Sequence, residues 1–232
     1  MRARNDGPKR MIRNDGLQMK IVGLTGGIAT GKSTTAAMIR ARGIAVHDAD
    51  DAVHRLLAPG GDAVQPVINA FGSDVVGDDG GIDRQKLGGI IFPDPALRRQ
   101  LEAIIHPLVS AGRDRFLAEC RAADAMLVVL DVPLLFETGG DASCDFVILC
   151  DADEDTQRQR GLARSGMTNE KWEAILASQM PMSEKRARAD AVVDTQYGME
   201  EARQQLDIIL DELLAGRLPD GHSNTGRETG SP

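Results

Sequence analysis

A phosphate-binding pattern at residues 26–33 determines how this chain begins to fold. The sequence Gly-Gly-Ile-Ala-Thr-Gly-Lys-Ser follows directly after an apolar run at residues 20–25. The pattern G-x-x-x-x-G-K-S requires a strand before it and a helix after it. Its glycines allow backbone angles that other residues avoid, so that N–H groups can face a phosphate at the start of the helix. The alternative is an ordinary strand-to-helix turn that contains glycines, and the Lys-Ser pair favours the nucleotide site.

Two side chains of this loop have chemical roles beyond the backbone cradle. Lys32 can reach the β- and γ-phosphates of a nucleoside triphosphate, and the Ser33 hydroxyl can serve as a Mg²⁺ ligand. The predicted ATP-binding residues are Gly26, Gly27, Ile28, Ala29, Thr30, Gly31, Lys32, Ser33 and Thr34.

Charge and cysteine content argue against several classes of function. The 232 residues carry a net charge of −8, so neither a basic nucleic-acid surface nor attachment to an acidic membrane is expected. The three cysteines are odd in number and lack metal-site spacing, which is typical of a reducing compartment. No apolar run approaches the roughly 18 residues of a membrane helix. We therefore expect a soluble cytoplasmic protein, a monomer or small homo-oligomer, without nucleic acid or membrane as partner.

Two aspartates follow a second predicted strand at residues 43–47. Asp48 and Asp50 belong to the run Asp-Ala-Asp-Asp. Ligands of α/β proteins bind at the carboxyl ends of parallel strands, so either acid is a candidate general base or metal-linked carboxylate facing the nucleotide. The alternative is a solvent-exposed N-cap for the helix that begins near Ala52.

The next seventy residues, 55–124, have helical spacing and no convincing strand. Asp83 can cap a helix over residues 84–91. Pro107 predicts the start of a new helix after one that spans residues 96–105. Because the segment is far longer than an ordinary crossover, it predicts an inserted helical domain for a second substrate.

Three more strands are predicted at residues 125–131, 146–150 and 191–194. The first two are continuous apolar runs, typical of strands buried on both faces. Asp131 ends the first of them, where an acid could hold Mg²⁺ directly or through water, or could cap the strand.

The segment after Asp131 is Val-Pro-Leu-Leu-Phe-Glu. It predicts exposed apolar groups beside the strand ends, with Leu134 and Phe136 as parts of a substrate wall. The alternative is local packing.

A helix predicted over residues 154–164 carries several arginines. Arg160 and Arg164 are four residues apart and share a face. Two guanidinium groups beside a phosphate site can neutralise charge on a transferred phosphoryl group. The alternative is a solvated basic face. Gly161 and Gly166 are expected to loosen this stretch.

Alternating strands and helices after a phosphate-binding loop predict a three-layer α/β/α fold of the P-loop kinase type. The sheet has five parallel strands, with an inserted helical substrate domain and a helical lid. The predicted parts are a disordered extension (1–18), a nucleotide-binding core (19–54, 125–155 and 188–214), the helical domain (55–124), the lid (156–187) and a disordered tail (215–232).

A kinase of a nucleotide or small metabolite is the favoured function. A GTPase would need the guanine-binding sequence N-K-x-D, which the chain lacks. A non-kinase ATPase or assembly module usually has a basic face or a larger assembly, so it is a distant alternative.

Short motifs spread over residues 19–210 narrow the kinase class. The most specific are Asp-Ala-Asp at 48–50, His-Pro at 106–107 and Pro-Leu-Leu-Phe-Glu at 133–137. The others are the phosphate-binding loop, Pro59-Gly60, Phe71-Gly72, Ile82-Asp83-Arg84, Ile91-Phe92, Gln179-Met180 and Ala187-Arg188-Ala189-Asp190. In this combination the chain resembles the dephospho-CoA kinase family.

The resemblance implies transfer of the ATP γ-phosphoryl group to the ribose 3′-hydroxyl of dephospho-CoA, with Mg²⁺. It implies that Asp50 is the general base and that Lys32, Arg160 and Arg164 complete the catalytic set. The substrate-binding candidates are Asp48, Asp50, His106, Leu134, Phe136 and Glu137.

This chain departs from the family pattern at a few positions. Ala29-Thr30 replaces the more usual Gly-Ser, and little effect is expected because Thr30 keeps a hydroxyl. His54 lies where an arginine is frequent. Asp194-Thr195 replaces the usual Asp-Asn near the expected adenine position, which weakens any named contact to the base there.

Overall fold

A computed structural model describes residues 18–217, so most of the predicted disordered extension and tail lies outside the described residues. The described chain divides into two compact units. The first, here the sheet unit, runs to Val46 and resumes at Met126, and the second, here the helical unit, is His47–Ala125. The predicted insertion at residues 55–124 falls within the helical unit.

The five strands form one sheet. In chain order they are β1 (Lys20–Gly26), β2 (Ala45–Asp48), β3 (Leu127–Asp131), β4 (Phe146–Asp151) and β5 (Ala191–Asp194). The spatial order is β2-β3-β1-β4-β5, and β1 pairs in parallel with both β3 and β4. The central position of β1 places the phosphate-binding loop at the middle of the sheet edge, which is the switch point where ligands bind in such folds.

The helices described between residues 18 and 217 are α1 (Lys32–Ala41), α2 (Ala49–Leu57), α3 (Val64–Phe71), α4 (Arg84–Ile91), α5 (Pro95–Ala122), α6 (Glu154–Leu162), α7 (Asn169–Ser178), α8 (Met182–Arg188) and α9 (Met199–Leu214). Short 3₁₀ turns lie at Ser73–Val75 and Gly140–Ser143. The prediction of a five-stranded parallel α/β fold is confirmed.

The core of the sheet unit forms because β3 and β4 are apolar up to the aspartate that ends each strand. Val129 and Ile148 are fully buried, and α9 packs Leu206 and Leu210 into the same cluster. The helical unit has a separate core built around Val67, Val75 and Leu87. Each unit therefore has its own hydrophobic core, as expected when helices are inserted into a sheet protein.

Pro107 does not begin a new helix, and the prediction of two helices there is wrong. Helix α5 continues through Pro107 for 28 residues. Proline inside a helix removes one backbone hydrogen bond and costs about 3 kcal/mol. Residues on both sides of it, Ile104, Ile105 and Leu108, pack into the same core cluster, and this burial offsets that cost.

No helix of the described chain is long and apolar enough to cross a bilayer.

Candidate active site

The phosphate-binding loop joins β1 to α1 with the geometry that its sequence predicts. Leu24 and Thr25 are fully buried at the end of β1, and α1 begins at Lys32. Gly31, directly before the helix, has φ 82°, a left-handed angle that glycine adopts without strain. The backbone therefore turns into α1 with its first N–H groups unpaired, which is the arrangement that binds phosphate.

Ala29 departs from the glycine usual at its position, and the structure shows what this entails. Its φ is 61°, a left-handed angle that costs a residue with a Cβ about 1–2 kcal/mol. Its methyl group is buried beside Ile28 and the Trp172 ring. Burial of this methyl group offsets part of the strain, because apolar contact contributes about 0.8 kcal/mol per buried carbon.

Lys32 is held by the acid at the end of β3. Its Nζ lies 2.6 Å from Asp131 Oδ1, and the Asp131 side chain is 1% exposed. Register explains this contact, because Leu24 of β1 pairs with Asp131 of β3. The pair keeps a cation at the mouth of the phosphate loop with little conformational freedom.

Cys150 lies beneath this pair on β4 and is fully buried. Burial raises the pKa of its thiol to about 12. The thiol therefore stays protonated at neutral pH and is inert.

A cavity of about 310 Å³ lies beside the phosphate loop in the sheet unit. It is lined by Ala29, Gly31, Thr34, Thr35, Met38, Arg160, Arg164, Thr195, Gly198, Met199 and Ala202. The loop, α1, two arginines at the end of α6 and the segment after β5 thus meet around one space. Its size and mixed lining fit a nucleotide.

Arg160 and Arg164 both line this cavity, as their spacing on one helix face predicts. Arg160 is half-buried and bonded to Thr195, with Nη1 3.0 Å from Oγ1 and Nη2 2.8 Å from the carbonyl oxygen. Arg164 is exposed. One guanidinium is therefore fixed by the protein, and the other is accessible to a ligand.

Gly161, which was expected to loosen this stretch, has a packing role in α6. A Cβ at Gly161 would lie 2.0 Å from the Trp172 ring. Glycine lets Trp172, which is 2% exposed, pack directly on the backbone of α6. Trp172, on α7, belongs to one buried cluster with Ile28 and Ala29, so α7 is packed on the phosphate loop.

Gln179, the C-cap of α7, also forms a hydrogen bond with the phosphate loop. Its Oε1 accepts a hydrogen bond from the Ile28 N–H at 3.0 Å. Met182 lies close to the same loop, where a Cβ on Gly27 would be 2.8 Å from its Sδ.

The segment after β3 is only partly as predicted. Leu134 is 38% exposed, but Phe136 is 3% exposed, so the prediction of an exposed apolar wall is wrong for Phe136. The Arg188 guanidinium lies 4.6 Å from the centre of the Phe136 ring. Phe136 is covered by this cation–π contact, which provides local packing instead of a substrate wall.

Glu137 is bound within the protein. Its Oε1 lies 2.8 Å from Nζ of Lys185, a lysine with 0% exposure, and accepts the Met180 N–H at 2.8 Å. Burial opposes ionisation of the Glu137 carboxyl, but the hydrogen bonds from Lys185 and Met180 outweigh it and hold its pKa below the usual range. The carboxylate ties the loop after β3 to α8.

In the helical unit, Asp48 caps α2 by accepting the Asp51 N–H at 3.1 Å, as the capping alternative predicted. Asp50 lies in the first turn of α2 and is exposed. His106, on α5, is also exposed. Neither the Asp50 side chain nor the His106 side chain has a hydrogen-bond partner among residues 18–217.

The burial of His47 was not predicted. It is 7% exposed, and its ring centre lies 5.3 Å from that of Phe116. Neither the place of Thr195 in the cavity lining nor the burial of Lys185 was predicted. Thr195 was notable only as a departure from the family, and the sequence run around Lys185 is indistinguishable from an exposed charged helix.

Comparison with known proteins identifies the family. The family model for dephospho-CoA kinases matches residues 20–201. A dephospho-CoA kinase of Mesorhizobium japonicum is 52% identical over 199 residues, which cover 86% of this chain and 99% of that protein. The enzyme of the same name from Rhizobium meliloti is 48% identical and covered completely, with 85% of this chain aligned.

Solved structures show the same fold. The crystal structure of TT1252 from Thermus thermophilus superposes with a TM-score of 0.72 at 36% identity, covering 84% of this chain and 98% of that one. Dephospho-CoA kinase from Campylobacter jejuni gives 0.66 at 24% identity, covering 86% and 99%. Because the family model spans most of this chain and a relative of that name is 52% identical over almost its whole length, this chain belongs to the dephospho-CoA kinase family.

Proposed function

We propose that this chain transfers the γ-phosphoryl group of ATP to the ribose 3′-hydroxyl of dephospho-CoA, the last step of coenzyme A biosynthesis. The observation that carries the proposal is the cavity shared by the phosphate loop and two lid arginines, in a chain of this family. A transferred phosphoryl group needs positioning and charge neutralisation more than covalent chemistry, and this cavity supplies cations for both.

Backbone N–H groups of residues 26–34 would hold the phosphates of ATP, and Lys32 would neutralise charge on the β- and γ-phosphates. Lys32 forms an ion pair with Asp131 in the structure. We propose that ATP shares this lysine with Asp131, which keeps the ammonium group in place between turnovers. Arg160 and Arg164 would stabilise charge on the group in transfer.

Mg²⁺ is the proposed metal, and the residues present fit it. Ser33, exposed in the first turn of α1, would supply a hydroxyl oxygen, and Asp131 would supply a carboxylate oxygen through water. Mg²⁺ prefers oxygen ligands and usually takes only one or two from the protein when it binds with nucleotide phosphates. When bound, the ion would neutralise charge on the ATP phosphates.

Asp50 is the proposed general base. A base must reach the acceptor hydroxyl without competing hydrogen bonds. The Asp50 carboxylate is exposed, and it has no hydrogen-bond partner in the described chain. A carboxylate is a weak base at neutral pH, so orientation of the hydroxyl contributes alongside proton removal. Asp48, as the N-cap of α2, would hold the first turn that carries Asp50.

The remaining acceptor residues have different supporting observations. His106 and Leu134 are accessible and are proposed to contact dephospho-CoA. Phe136 and Glu137, which are committed to Arg188 and Lys185, are proposed to shape the acceptor site through the loop that they hold.

The proposal extends to the parts of the chain. Residues 55–124 would bind the CoA moiety and residues 156–187 would form the lid. We further propose a cytoplasmic monomer or small homo-oligomer that needs neither nucleic acid nor membrane.

A coupled ADP-release assay tests the function. Purified protein with ATP and Mg²⁺ is offered dephospho-CoA, AMP, UMP or shikimate, and rapid ADP release is expected with dephospho-CoA only. Turnover with another acceptor would identify a different small-metabolite kinase. ADP release that needs no acceptor would support a non-kinase ATPase. Mass analysis of the product, with one phosphate added to dephospho-CoA, completes the test.

A further inference from the structure

Thr195 lies directly after β5, is 6% exposed and lines the nucleotide cavity. Its hydroxyl is surrounded by polar groups from three parts of the sheet unit. Oγ1 lies 2.9 Å from the Thr30 carbonyl oxygen in the phosphate loop and 3.1 Å from the Asp151 carbonyl oxygen at the end of β4. It also lies 3.0 Å from Nη1 of Arg160 on α6.

The hydrogen bonds of this hydroxyl can be assigned by counting donors. A threonine hydroxyl has one proton and two lone pairs. It donates that proton to one of the two carbonyl oxygens and accepts a hydrogen bond from Arg160. The Thr195 carbonyl oxygen accepts a second hydrogen bond, from Arg160 Nη2 at 2.8 Å. Two of the five donors of the guanidinium therefore bond to one residue, and three remain for a ligand.

Thr195 is also packed against the phosphate loop. A Cβ at Gly31 would lie 3.1 Å from both Oγ1 and Cγ2 of Thr195. The loop backbone and the Thr195 side chain thus approach as closely as a glycine permits. Any shift of Thr195 would move Arg160 and the loop together.

We propose that Thr195 is a positioning residue for nucleotide binding. It orients the Arg160 guanidinium over the cavity and fixes it relative to the Thr30–Gly31 peptide. An arginine held in place before the ligand arrives loses less side-chain entropy on binding phosphate. We assign this role to Thr195 because its hydroxyl lies within hydrogen-bond distance of both the Thr30 carbonyl oxygen and the Arg160 guanidinium. The inference depends on the proposed function only in placing a nucleoside triphosphate in this cavity.

The test compares Thr195→Val, which removes the hydroxyl and keeps the shape, with Thr195→Ser, which keeps the hydroxyl. ATP affinity is measured on the full chain by calorimetric titration without acceptor, and KM and kcat are measured by ADP release. Thr195→Val is expected to weaken ATP binding about tenfold, as for one hydrogen bond to a charged group. Its KM for ATP should rise by a similar factor, with a smaller change in kcat. Thr195→Ser should stay within about twofold of the parent.

A double-mutant cycle shows whether Thr195 acts through Arg160. In an Arg160→Ala background, Thr195→Val should change ATP affinity by less than about twofold. Arg158→Ala is the matched control, because Arg158 lies on the same helix but bonds to Glu173 and Asn169. The effects of Arg158→Ala and Thr195→Val should multiply.

Arg160→Lys is a second route if Thr195→Val does not fold. A lysine cannot make the two-pronged bond to Thr195, so it should weaken ATP binding. The proposal is overturned if Thr195→Val lowers the melting temperature but leaves ATP affinity unchanged. Independent effects of Thr195→Val and Arg160→Ala would overturn it too. ATP titration without acceptor keeps these outcomes separate from the identity of the phosphoryl acceptor.

Discussion

The side chains of Lys32 and Arg160, in the sheet unit, are each bonded to another protein group. In the helical unit, by contrast, the Asp50 and His106 side chains are exposed and have no hydrogen-bond partner within residues 18–217. Lys32 is paired with the buried Asp131 and Arg160 with Thr195. The nucleotide side of the reaction is thus prearranged by the protein, while the proposed acceptor residues are open to solvent. We expect substitutions on the nucleotide side to change stability as well as activity, and substitutions of the acceptor residues to change activity only.

Lys32→Ala should have the largest effect. It removes the cation proposed to contact the β- and γ-phosphates and leaves Asp131, which is 1% exposed, without that partner. We expect kcat/KM to fall about 10³-fold, as on removal of one preorganised charge-stabilising group, together with weaker ATP binding. Steady-state kinetics and thermal unfolding measure the two effects.

Lys171→Ala is the control for Lys32→Ala, because Lys171 is exposed and its ammonium group donates to the Gly166 carbonyl oxygen on the surface. It should keep near-parental kcat/KM. A Lys32→Ala enzyme with full activity would remove the phosphate loop from the proposed mechanism.

Lys185→Met tests whether ion pairs behind the site support its structure. It leaves the Glu137 carboxylate largely buried without its cation, and loss of one partner from a buried pair costs about 3 kcal/mol or more. Urea unfolding at pH 7 should show that loss. Glu173→Gln, which breaks the exposed Arg158–Glu173 pair, should cost less than about 1 kcal/mol.

The Lys185–Glu137 pair also predicts that the free energy of unfolding falls at acid pH. The pKa of Glu137 is lowered in the folded protein, so its contribution to stability is present above its unfolded pKa, about 4.5, and is lost as the pH falls further. Stability measured from pH 7 to pH 3 should fall less steeply for Glu137→Gln than for the parent. Parallel curves would show that Glu137 does not ionise differently on folding.

Asp50→Asn should reduce kcat about 10²-fold, the lower range for loss of a general base. ATP affinity and melting temperature should not change, because the Asp50 side chain is exposed and makes no hydrogen bond or ion pair in the described chain. Asp51→Asn is a close control, since Asp51 is its exposed neighbour and pairs with Arg55. Equal kcat values for the two variants would show that Asp50 is not the base.

Sequence pattern predicted the strands and the strand–loop–helix geometry of the phosphate loop for a physical reason. The phosphate loop, the lid arginine spacing and the apolar strands are local patterns, and each is tied to one backbone geometry. The contacts that complete the site join distant residues. Thr195 and Thr30 are 165 positions apart, and no periodicity connects them. Lys185 could be recognised as buried only once its partner Glu137 was placed.

The errors have the same origin. Pro107 is a helix-breaking signal that tertiary packing on both sides overrides, and Phe136 is an apolar side chain covered by an arginine from α8. The proposed acceptor residues were predicted through family resemblance. An exposed aspartate on a helix has the same local sequence pattern whether it is an N-cap, a surface residue or a catalytic base.

His47 is the exception within the helical unit, and it gives the smallest predicted effect. It is 7% exposed, and its Nε2 has no hydrogen-bond partner in the described part of the chain. A buried nitrogen without a partner costs about 1–3 kcal/mol. His47→Leu, which keeps an apolar group against Phe116, should therefore raise the free energy of unfolding at pH 7 by about 1 kcal/mol. His54→Leu, at an exposed histidine on α2, should change it by less than about 0.5 kcal/mol.

The pH dependence of stability separates this effect from a general gain in hydrophobicity. Burial, with added repulsion from Arg55 and Arg113, lowers the pKa of His47. The unfolded chain then binds a proton that the folded chain does not, so stability is full above the unfolded pKa of about 6.5 and declines as the pH falls below it. His47→Leu should flatten the decline between pH 7 and pH 5. If the stability curve of His47→Leu stays parallel to that of the parent, His47 is hydrated in solution. The helical unit would then have no buried titratable group at position 47 comparable with Glu137 and Lys185 in the sheet unit.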